Sequence, residues 1–260
     1  MPTTSLPTWN KPCKTFKDMS KRIIIIGATS GIGKKVAEGY IARGWKVGVA
    51  GRRAEELEAL RLQAPEQVCT QVIDVTHEDA PQHLHALISQ LGGMDVFLLS
   101  SGVGSQNPTL QPDIELRTAA TNVEGFIRMT TTAYHFFAKQ GYGHLAAISS
   151  IAGTRALGIA AAYSATKCFQ NTYLDCLDQL ARMNKLKISF TDIRPGFVAT
   201  PLLKHRNYPL LMDVSDVAEE IIRSIERKKR VAIIDWKFRI LVSIWRMIPR
   251  WLWLRLPVKN

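Results

Sequence analysis

The chain carries, near its start, the run Arg22-Ile23-Ile24-Ile25-Ile26-Gly27-Ala28-Thr29-Ser30-Gly31-Ile32-Gly33. β-branched residues bounded by glycine predict a buried parallel strand. The glycines allow a tight turn and a close approach of the backbone to a pyrophosphate, at a helix N-terminus whose free N–H groups attract anions. A strand-to-helix turn without a ligand is the alternative. The place of the turn after the first strand favours a dinucleotide site formed by Gly27, Ser30, Gly31, Ile32 and Gly33.

Apolar runs of strand length alternate with amphipathic stretches of helix length along the rest of the chain. This alternation predicts βαβ units with right-handed crossovers. The fold class expected is therefore α/β, a Rossmann-type doubly wound parallel sheet of about seven strands in a single domain. The predicted strands are 22–28, 46–50, 68–74, 96–100, 144–149, 187–193 and 230–234. The predicted helices are 33–43, 54–63, 78–90, 114–139, 160–184 and 215–227.

Composition divides the 260 residues into three parts. Residues 1–20 are rich in proline, threonine and lysine without periodicity, and predict a flexible N-terminal arm. Residues 21–235 form the predicted α/β domain, and residues 236–260 a C-terminal appendage. The arm lacks the apolar segment of a secretory signal, so the expected location is cytoplasmic. The four cysteines and six histidines show no metal-binding spacing, so no metal is expected.

The net charge of +12 is concentrated at the two ends of the chain. Residues 236–260 hold six basic and no acidic side chains, and residues 1–22 hold five basic and one acidic. The residues between them therefore carry only +2. A basic body would indicate nucleic acid, whereas a nearly neutral body with basic, apolar ends favours a membrane surface and argues against nucleic acid.

The end of the second predicted strand indicates which dinucleotide is bound. Proteins of this fold that prefer NAD place an acid there for the ribose 2′-hydroxyl, but this chain has Gly51 followed by Arg52 and Arg53. Guanidinium groups match a 2′-phosphate, which favours NADP(H). The alternative is that both arginines are ordinary solvated charges. Asp74, with Val75 after it, is expected at the adenine, although Asp74 could equally cap the next segment.

A second group of residues predicts the chemistry. Tyr163 and Lys167 lie four positions apart, so a helix places them on one face, where the ammonium favours ionisation of the phenol. This pair alone occurs by chance in many helices. Ser150 precedes Tyr163 by thirteen residues and ends the fifth strand, Asn122 lies within the long fourth helix, and Pro195-Gly196 ends the sixth strand. Separately these could be a loop serine, a helix kink and a turn; their joint occurrence in this order is improbable by chance.

On these motifs, residues 21–235 resemble the short-chain dehydrogenase/reductase family. The resemblance implies hydride transfer between a nicotinamide and a carbonyl or alcohol carbon. It implies that Tyr163 is the general acid in reduction and that Lys167 holds the nicotinamide ribose and lowers the Tyr163 pKa. Ser150 would bind the substrate oxygen and Asn122 a water that returns protons. Contacts to the nicotinamide would come from Pro195, Gly196, Val198 and Thr200.

The chain departs from the family pattern after the fourth strand. Ser100-Ser101-Gly102 stands where the family usually has Asn-Ala-Gly. The departure concerns the adenosine contacts more than the chemistry.

The appendage is a basic, tryptophan-rich segment that contains four of the six tryptophans. Arg239, Ser243, Arg246 and Arg250 form one narrow polar stripe on a helix, and Pro249 is expected to kink or end that helix. Its longest uncharged run is far shorter than the roughly 20 residues that span a bilayer. The segment could lie in a membrane interface, or it could pack against the body or a second subunit. In either case it could cover the substrate mouth.

The sequence as a whole predicts an NADPH-dependent reductase of a hydrophobic, lipid-like ketone, since the loop 201–212 is rich in leucine. Alcohol oxidation by the same chemistry is one alternative. A membrane-docked protein that binds NADP(H) without catalysis is another. The family resemblance further implies a homodimer or homotetramer, formed through the helices at 114–139 and 160–184.

Overall fold

The structure, a computed structural model, describes residues 21–203 and 208–258, so the predicted arm 1–20 lies outside it. Seven strands form one parallel sheet in the order β3-β2-β1-β4-β5-β6-β7, which confirms the predicted fold class. The strands are β1 Arg22–Ile26, β2 Lys46–Gly51, β3 Val68–Val72, β4 Val96–Leu99, β5 Tyr142–Ile148, β6 Lys187–Arg194 and β7 Val231–Ile233.

Helices cover both faces of this sheet. They are α1 Gly31–Ala42, α2 Ala54–Gln63, α3 Ala80–Gln90, α4 Pro112–Ala119, α5 Gly125–Gln140, α6 Ala161–Met183, α7 Val214–Glu226, α8 Trp236–Met247 and α9 Arg250–Trp253. A π-helical turn, Ala120–Glu124, joins α4 to α5. The predicted end of the first appendage helix is confirmed, because α8 stops at Met247 and α9 begins directly after Pro249.

The isoleucines of β1 explain why this strand lies in the middle of the sheet. Ile23 and Ile25 belong to one apolar cluster, with α1 and α7, while Ile24 and Ile26 belong to the cluster on the opposite face. All four side chains are fully buried. Side chains alternate between faces along a strand, so only a strand covered on both sides can bury a continuous run of this kind.

The strand order changes direction at β1. β2 and β3 follow one another on one side of β1, whereas β4 and the later strands follow one another on its other side. In open parallel sheets, ligands bind in the crevice at this point, beyond the carboxyl ends of the strands. The topology therefore places the Gly27 turn and the residues after β4 at the two sides of one crevice.

The helix predicted over 114–139 is present, since residues 112–140 are helical without a gap, but it contains a turn that the sequence did not predict. This is the π-helical turn Ala120–Glu124, which contains the buried Asn122. A π-turn adds one residue to the helical repeat and thus turns later side chains away from the regular pattern. Hydrogen bonds of the Asn122 side chain to the loop after β4, described below, accompany this turn.

Buried His144 in β5 makes the fold sensitive to acid. Burial lowers the pKa of His144 to about 4, and the positive charge of Lys228 adds to the effect. The ring nitrogen Nε2 lies 2.8 Å from the Thr191 hydroxyl inside the sheet. Protonation of this ring is therefore easier in the unfolded chain than in the folded protein.

We expect the free energy of unfolding to fall as the pH decreases from about 6.5 to 4, because the unfolded chain binds the proton first. In His144→Gln, the decrease in the free energy of unfolding between pH 7 and pH 4.5 should be about 2 kcal/mol smaller than in the wild-type protein. Chemical denaturation at a series of pH values measures it, with exposed His85→Gln as the control. Equal pH dependence in wild type and His144→Gln would contradict the assignment.

Candidate active site

The glycine turn forms the first wall of the crevice through main-chain contacts. The N–H groups of Gly27 and Ala28 both donate to the Ala50 carbonyl, at 2.8 and 3.0 Å. Gly27 has a φ of +90°, and a Cβ placed on it would lie 2.7 Å from the Ser101 nitrogen. A Cβ on Gly33 would collide with the Gly27 carbonyl. Only glycine fits at these two positions, so the turn depends on backbone packing.

The segment Ser100-Ser101-Gly102 packs directly against this turn. The Ser100 hydroxyl would lie 2.9 Å from a Cβ on Gly33, and Gly102 faces the side chains of Asn122 and Lys167. With serine at positions 100 and 101, where the family usually has Asn-Ala, the backbone of this segment still approaches the glycine turn closely.

The residues predicted at the adenosine end surround one region at the end of β2. Arg53 Nη2 donates to the Thr29 hydroxyl at 2.9 Å. Arg52 extends into solvent with its side chain 72% exposed, and its Nη1 lies 3.9 Å from Asp74 Oδ2. Two guanidinium groups therefore lie at the place where an NAD-preferring protein has an acid.

Asp74 lines the crevice and bonds within the turn that follows it, and the N-cap of the next helix, α3, is Asp79. Its Oδ1 accepts from the N–H and the hydroxyl of Thr76, at 3.0 and 2.8 Å. Burial alone would raise the pKa of Asp74, but these hydrogen bonds and the charge of Arg52 hold that pKa below its ordinary value. The carboxylate is thus ionised near neutral pH.

Ser150 and Tyr163 meet at the other end of the crevice. Ser150 caps a 3₁₀ turn, and its Oγ accepts from the Ala152 N–H at 3.1 Å. Ser150 and Tyr163 both line the cleft, and the Ser150 side chain acts on the phenol by lowering its pKa. The Tyr163 ring lies so close to Gly104 that a Cβ there would be 2.5 Å from it. The main chain after β4 therefore fixes the ring from above.

Lys167 is buried beneath the phenol. Its Nζ lies 5.7 Å from the centre of the Tyr163 ring. It donates to the Ile148 carbonyl at 3.0 Å and to Gln170 Oε1 at 2.9 Å. Burial lowers the pKa of Lys167 to about 8, although the negative charge of Asp192 acts in the opposite direction.

The expected lowering of the Tyr163 pKa is not found in this structure. Burial raises the pKa of Tyr163 above its ordinary value, and the Ser150 side chain only opposes that rise. The spacing of Tyr163 and Lys167 could not reveal this, because spacing places an ammonium nearby but does not show that both groups are removed from water.

Asn122 fastens the loop after β4 to α6. Its Nδ2 donates to the Val103 carbonyl at 2.7 Å and to the Thr166 hydroxyl at 3.1 Å. Its Oδ1 accepts from the Val103 N–H at 2.9 Å. The side chain is fully buried, and the main-chain carbonyl oxygen of Asn122 accepts a hydrogen bond from Gln170 Nε2 at 2.9 Å.

These groups share one cleft of about 650 Å³. Its volume is in the range of small-molecule and cofactor sites. Of the residues predicted to bind cofactor or to act in catalysis, Gly33 and Asn122 lie behind the wall. The others line the cleft, namely Gly27, Ser30, Gly31, Ile32, Arg52, Arg53, Asp74, Val75, Ser150, Tyr163, Lys167, Pro195, Gly196, Val198 and Thr200.

The cleft fits an elongated dinucleotide. The glycine turn leaves main-chain groups accessible at Gly27 and Gly31, at the N-terminus of α1. Thr200 closes over Gly31, with its methyl group 3.2 Å from the position of a Cβ there. The turn, the two arginines and the Tyr163–Lys167 pair therefore lie along one continuous space.

The part of the cleft beyond Tyr163 is apolar. Phe197 and Tyr208 stack with ring centres 4.8 Å apart at this end. The other side chains of this apolar part are Ile151, Leu157, Ile159, Leu202, Leu203 and Trp245. A substrate with an extended hydrocarbon surface would be complementary to it.

The appendage forms a wall of this apolar part, through contacts that the sequence did not reveal. Arg155 donates from Nε to the carbonyl of Trp245 and from Nη2 to that of Arg246, both at 2.9 Å. Trp253 Nε1 donates to the Ala156 carbonyl at 2.8 Å. A Cβ on Gly196 would collide with the buried ring of Phe238. The inner face of α8 and α9 is therefore packed on the body.

The outer face of α8 and α9 consists of Trp236, Ile240, Ile244, Met247 and Trp251. Trp236 is 60% exposed, Met247 74% and Trp251 61%. Within α8, the spacing of four, four and three residues places Trp236, Ile240, Ile244 and Met247 in one stripe, and Trp251 lies beyond the break at Pro249, on α9. Among the described residues, no helix is both long and apolar enough to cross a membrane.

Comparisons with known proteins agree with this architecture. The family model described as short chain dehydrogenase matches residues 21–209. An uncharacterized oxidoreductase of Myxococcus xanthus (strain DK1622) is 32% identical over 241 residues, which cover 89% of this chain and 94% of the relative.

Two solved structures have the same fold. A 3-ketoacyl-(acyl-carrier-protein) reductase from Brucella melitensis, complexed with NADH, has a TM-score of 0.73 at 23% identity, over 83% of this chain and 96% of that one. An alcohol dehydrogenase from the archaeon Thermococcus sibiricus, complexed with 5-hydroxy-NADP, has a TM-score of 0.72 at 20% identity, over 83% of this chain and 95% of that one.

The fold and the cleft together define an oxidoreductase with a Rossmann-type nucleotide-binding sheet. Because the family model matches well over half of the chain, the protein belongs to the short-chain dehydrogenase family.

Proposed function

We propose that the protein is an NADPH-dependent reductase of hydrophobic ketones. The observation that carries this proposal is that Ser150, Tyr163 and Lys167 line the same cleft as the glycine turn and a group of apolar side chains. A carbonyl oxygen beside Ser150 and Tyr163 would lie within reach of two hydroxyl groups. When bound there, a reduced nicotinamide supplies the hydride.

The protonation state of Tyr163 supports reduction. Because the pKa of the buried phenol is raised, Tyr163 carries its proton near neutral pH and can donate it to the alkoxide that develops on the substrate. The Ser150 hydroxyl would donate to the same oxygen and stabilise its negative charge. Oxidation by the same residues would need the ionised phenol, which burial disfavours.

We expect Tyr163→Phe to reduce NADPH-dependent turnover of long-chain ketones at least about 100-fold, since the hydroxyl that would transfer its proton to the substrate oxygen is removed. NADPH oxidation is measured with a panel of such ketones, and NADPH binding by fluorescence. Binding should be retained, which distinguishes lost chemistry from lost cofactor.

Wild-type protein that binds NADPH but reduces no ketone in the panel would contradict the proposal. That outcome would favour the alternative of a binding protein without catalysis. Turnover of the matching alcohols with NADP alone would favour the oxidative alternative.

The preference for NADPH rests on the two arginines at the end of β2. Arg52 is exposed and Arg53 is hydrogen-bonded to Thr29, so two positive charges lie beside Gly51. Gly51 itself has no side chain to fill this space and carries no acidic group. A 2′-phosphate would accept charge-assisted hydrogen bonds there.

Replacement of Arg52 by aspartate should lower the ratio of kcat/KM for NADPH to that for NADH by at least about tenfold, because a repulsive charge replaces an attractive one. Steady-state kinetics with both cofactors measure the ratio. Arg227→Asp is the control, since it changes charge equally at an exposed position after α7. An unchanged ratio in Arg52→Asp would contradict the assigned preference.

The proposal includes association with a membrane surface through the outer face of α8 and α9. Five exposed basic residues lie on the same helices and in the turn after them, namely Lys237, Arg239, Arg246, Arg250 and Arg255. Apolar side chains flanked by cations are typical of helices that lie in the interface of an anionic bilayer. The inner face of the same helices lines the substrate part of the cleft, which fits a ketone delivered from lipid.

Ile240→Ser/Ile244→Ser should lower partitioning onto vesicles that contain phosphatidylserine by about tenfold, because two side chains no longer enter the bilayer. Co-sedimentation measures the bound fraction. Leu62→Ser/Met183→Ser removes two equally exposed apolar side chains elsewhere and serves as the control. Equal partitioning of the two variants would contradict membrane docking. A change of oligomeric state in the first variant alone would assign the stripe to a second subunit.

Self-association as a homodimer or homotetramer is also proposed, on the basis of family membership. The helices expected at such an interface carry half-buried aromatic side chains, with Phe169 and Tyr173 stacked 5.3 Å apart on α6. Phe126 on α5 contacts Tyr173 edge to face.

A further inference from the structure

A continuous chain of protein hydrogen bonds lies beneath the cleft. Lys167 donates to Gln170 Oε1, and Gln170 Nε2 donates to the main-chain oxygen of Asn122, both over 2.9 Å. Gln170 is only 1% exposed. It follows Lys167 by three positions in α6, so the helix itself places the two side chains together. No motif in the sequence singles out Gln170.

The orientation of this amide is fixed by its partners. With Oε1 toward the ammonium and Nε2 toward the carbonyl, one end accepts and the other donates. In the reversed orientation, a donor would face a donor and an acceptor an acceptor. Gln170 thus holds Lys167 and the π-helical turn in one arrangement.

We propose that Gln170 is a positioning residue that fixes the Lys167 ammonium by tying it to the main chain of Asn122. The family resemblance implied a water bound at Asn122 for proton return. Here the amide occupies one hydrogen-bonding position of the Asn122 carbonyl and links it to Lys167 directly. An amide does not exchange its proton readily near neutral pH, so this link holds the ammonium in place and does not relay protons.

The hydrogen bond to Gln170 helps to fix the direction in which the third N–H group of the Lys167 ammonium points. Two of the three ammonium N–H groups are used, by Ile148 and Gln170. With two N–H groups held, the ammonium cannot rotate freely, and the third has a defined direction. The role in catalysis rests on the proposed function, whereas the link itself is present without a substrate.

The charged and titratable groups that face Lys167 are few. Tyr163 lies above it on α6, and Asp192 acts on it from β6. Asp192 is itself paired with Arg194 at 2.6 Å. The π-helical turn and the loop after β4 present Asn122 and Gly102, which do not titrate. Changes at Gln170 should therefore act on Lys167 first.

Two substitutions of opposite effect test this proposal on the ligand-free, full-length protein. The pKa of Lys167 is about 8, below the ordinary 10.5, so the unfolded chain binds more protons between these values and stability rises with pH there. Gln170→Met (Q170M) removes an acceptor and disfavours the Lys167 ammonium, so stability should begin to rise at a lower pH than in the wild-type protein. Gln170→Glu (Q170E) places a carboxylate beside the ammonium and favours it, so stability should begin to rise at a higher pH.

The free energy of unfolding is measured from pH 7 to 10.5, and the alkaline midpoint of kcat for ketone reduction is measured in the same variants. Each midpoint should move by about one pH unit, downward in Q170M and upward in Q170E. Asn171→Leu (N171L) is the control, because it removes another buried amide of α6 that has no hydrogen bond to Lys167. A purely structural role would shift both variants alike.

Shifts in one common direction, or shifts no larger than in N171L, would overturn the proposal. If one variant does not fold, the other against wild type decides, because each has its own required direction. Opposite shifts in unfolding without any ketone turnover would support the role of Gln170 and contradict the proposed function. The two failures are therefore distinguishable.

Discussion

The close approach of two main-chain segments, at the carboxyl ends of β1 and β4, is the constraint on which the rest of the site depends. Gly27 packs against the backbone of Ser101, and Gly33 against the carbonyl of Gly27, with no room for a side chain at either glycine. The approach closes the floor of the crevice where the sheet changes its direction of growth. The segment after β4 then continues to Gly102 and Gly104, which meet Lys167 and Tyr163. One packing contact thus sets the distance between the cofactor end and the chemical end.

The catalytic end is arranged at a cost in stability. Lys167 is an ammonium group in a buried environment, and the depression of its pKa shows that the fold disfavours its charge. Three protein groups compensate: the Ile148 carbonyl, the Gln170 amide and the charge of Asp192. Removal of a buried charge from its partners is expensive, so such a group is held only where the surrounding structure fixes it. The π-helical turn at Asn122 has the same character, since it gives up regular helix geometry for contacts with the loop after β4.

Local patterns in the sequence were sufficient to predict the sheet and most of the cleft. The isoleucines of β1, the glycine turn and the Tyr163–Lys167 spacing each reflect a short-range rule of strand, turn or helix geometry. What could not be predicted depends on distant neighbours or on burial. The π-turn lies within a helix whose apolar pattern is continuous, and Gln170 looks like an ordinary helical residue. The contacts of Arg155 with α8 join residues about 90 positions apart. The direction of the Tyr163 pKa follows from exclusion of water, which no spacing encodes.

Arg155 lies only eight residues before Tyr163, and its guanidinium holds the carbonyl end of α8. The segment formed by α8 and α9 and the loop that leads into α6 are therefore one structural unit. In exchanges of segments with other members of the family, residues 236–258 and the loop that carries Arg155 belong together, because neither half of this contact has a partner without the other. Through Trp245, the segment formed by α8 and α9 is in this sense a part of the cleft wall, although it lies about 90 positions from the loop that holds it.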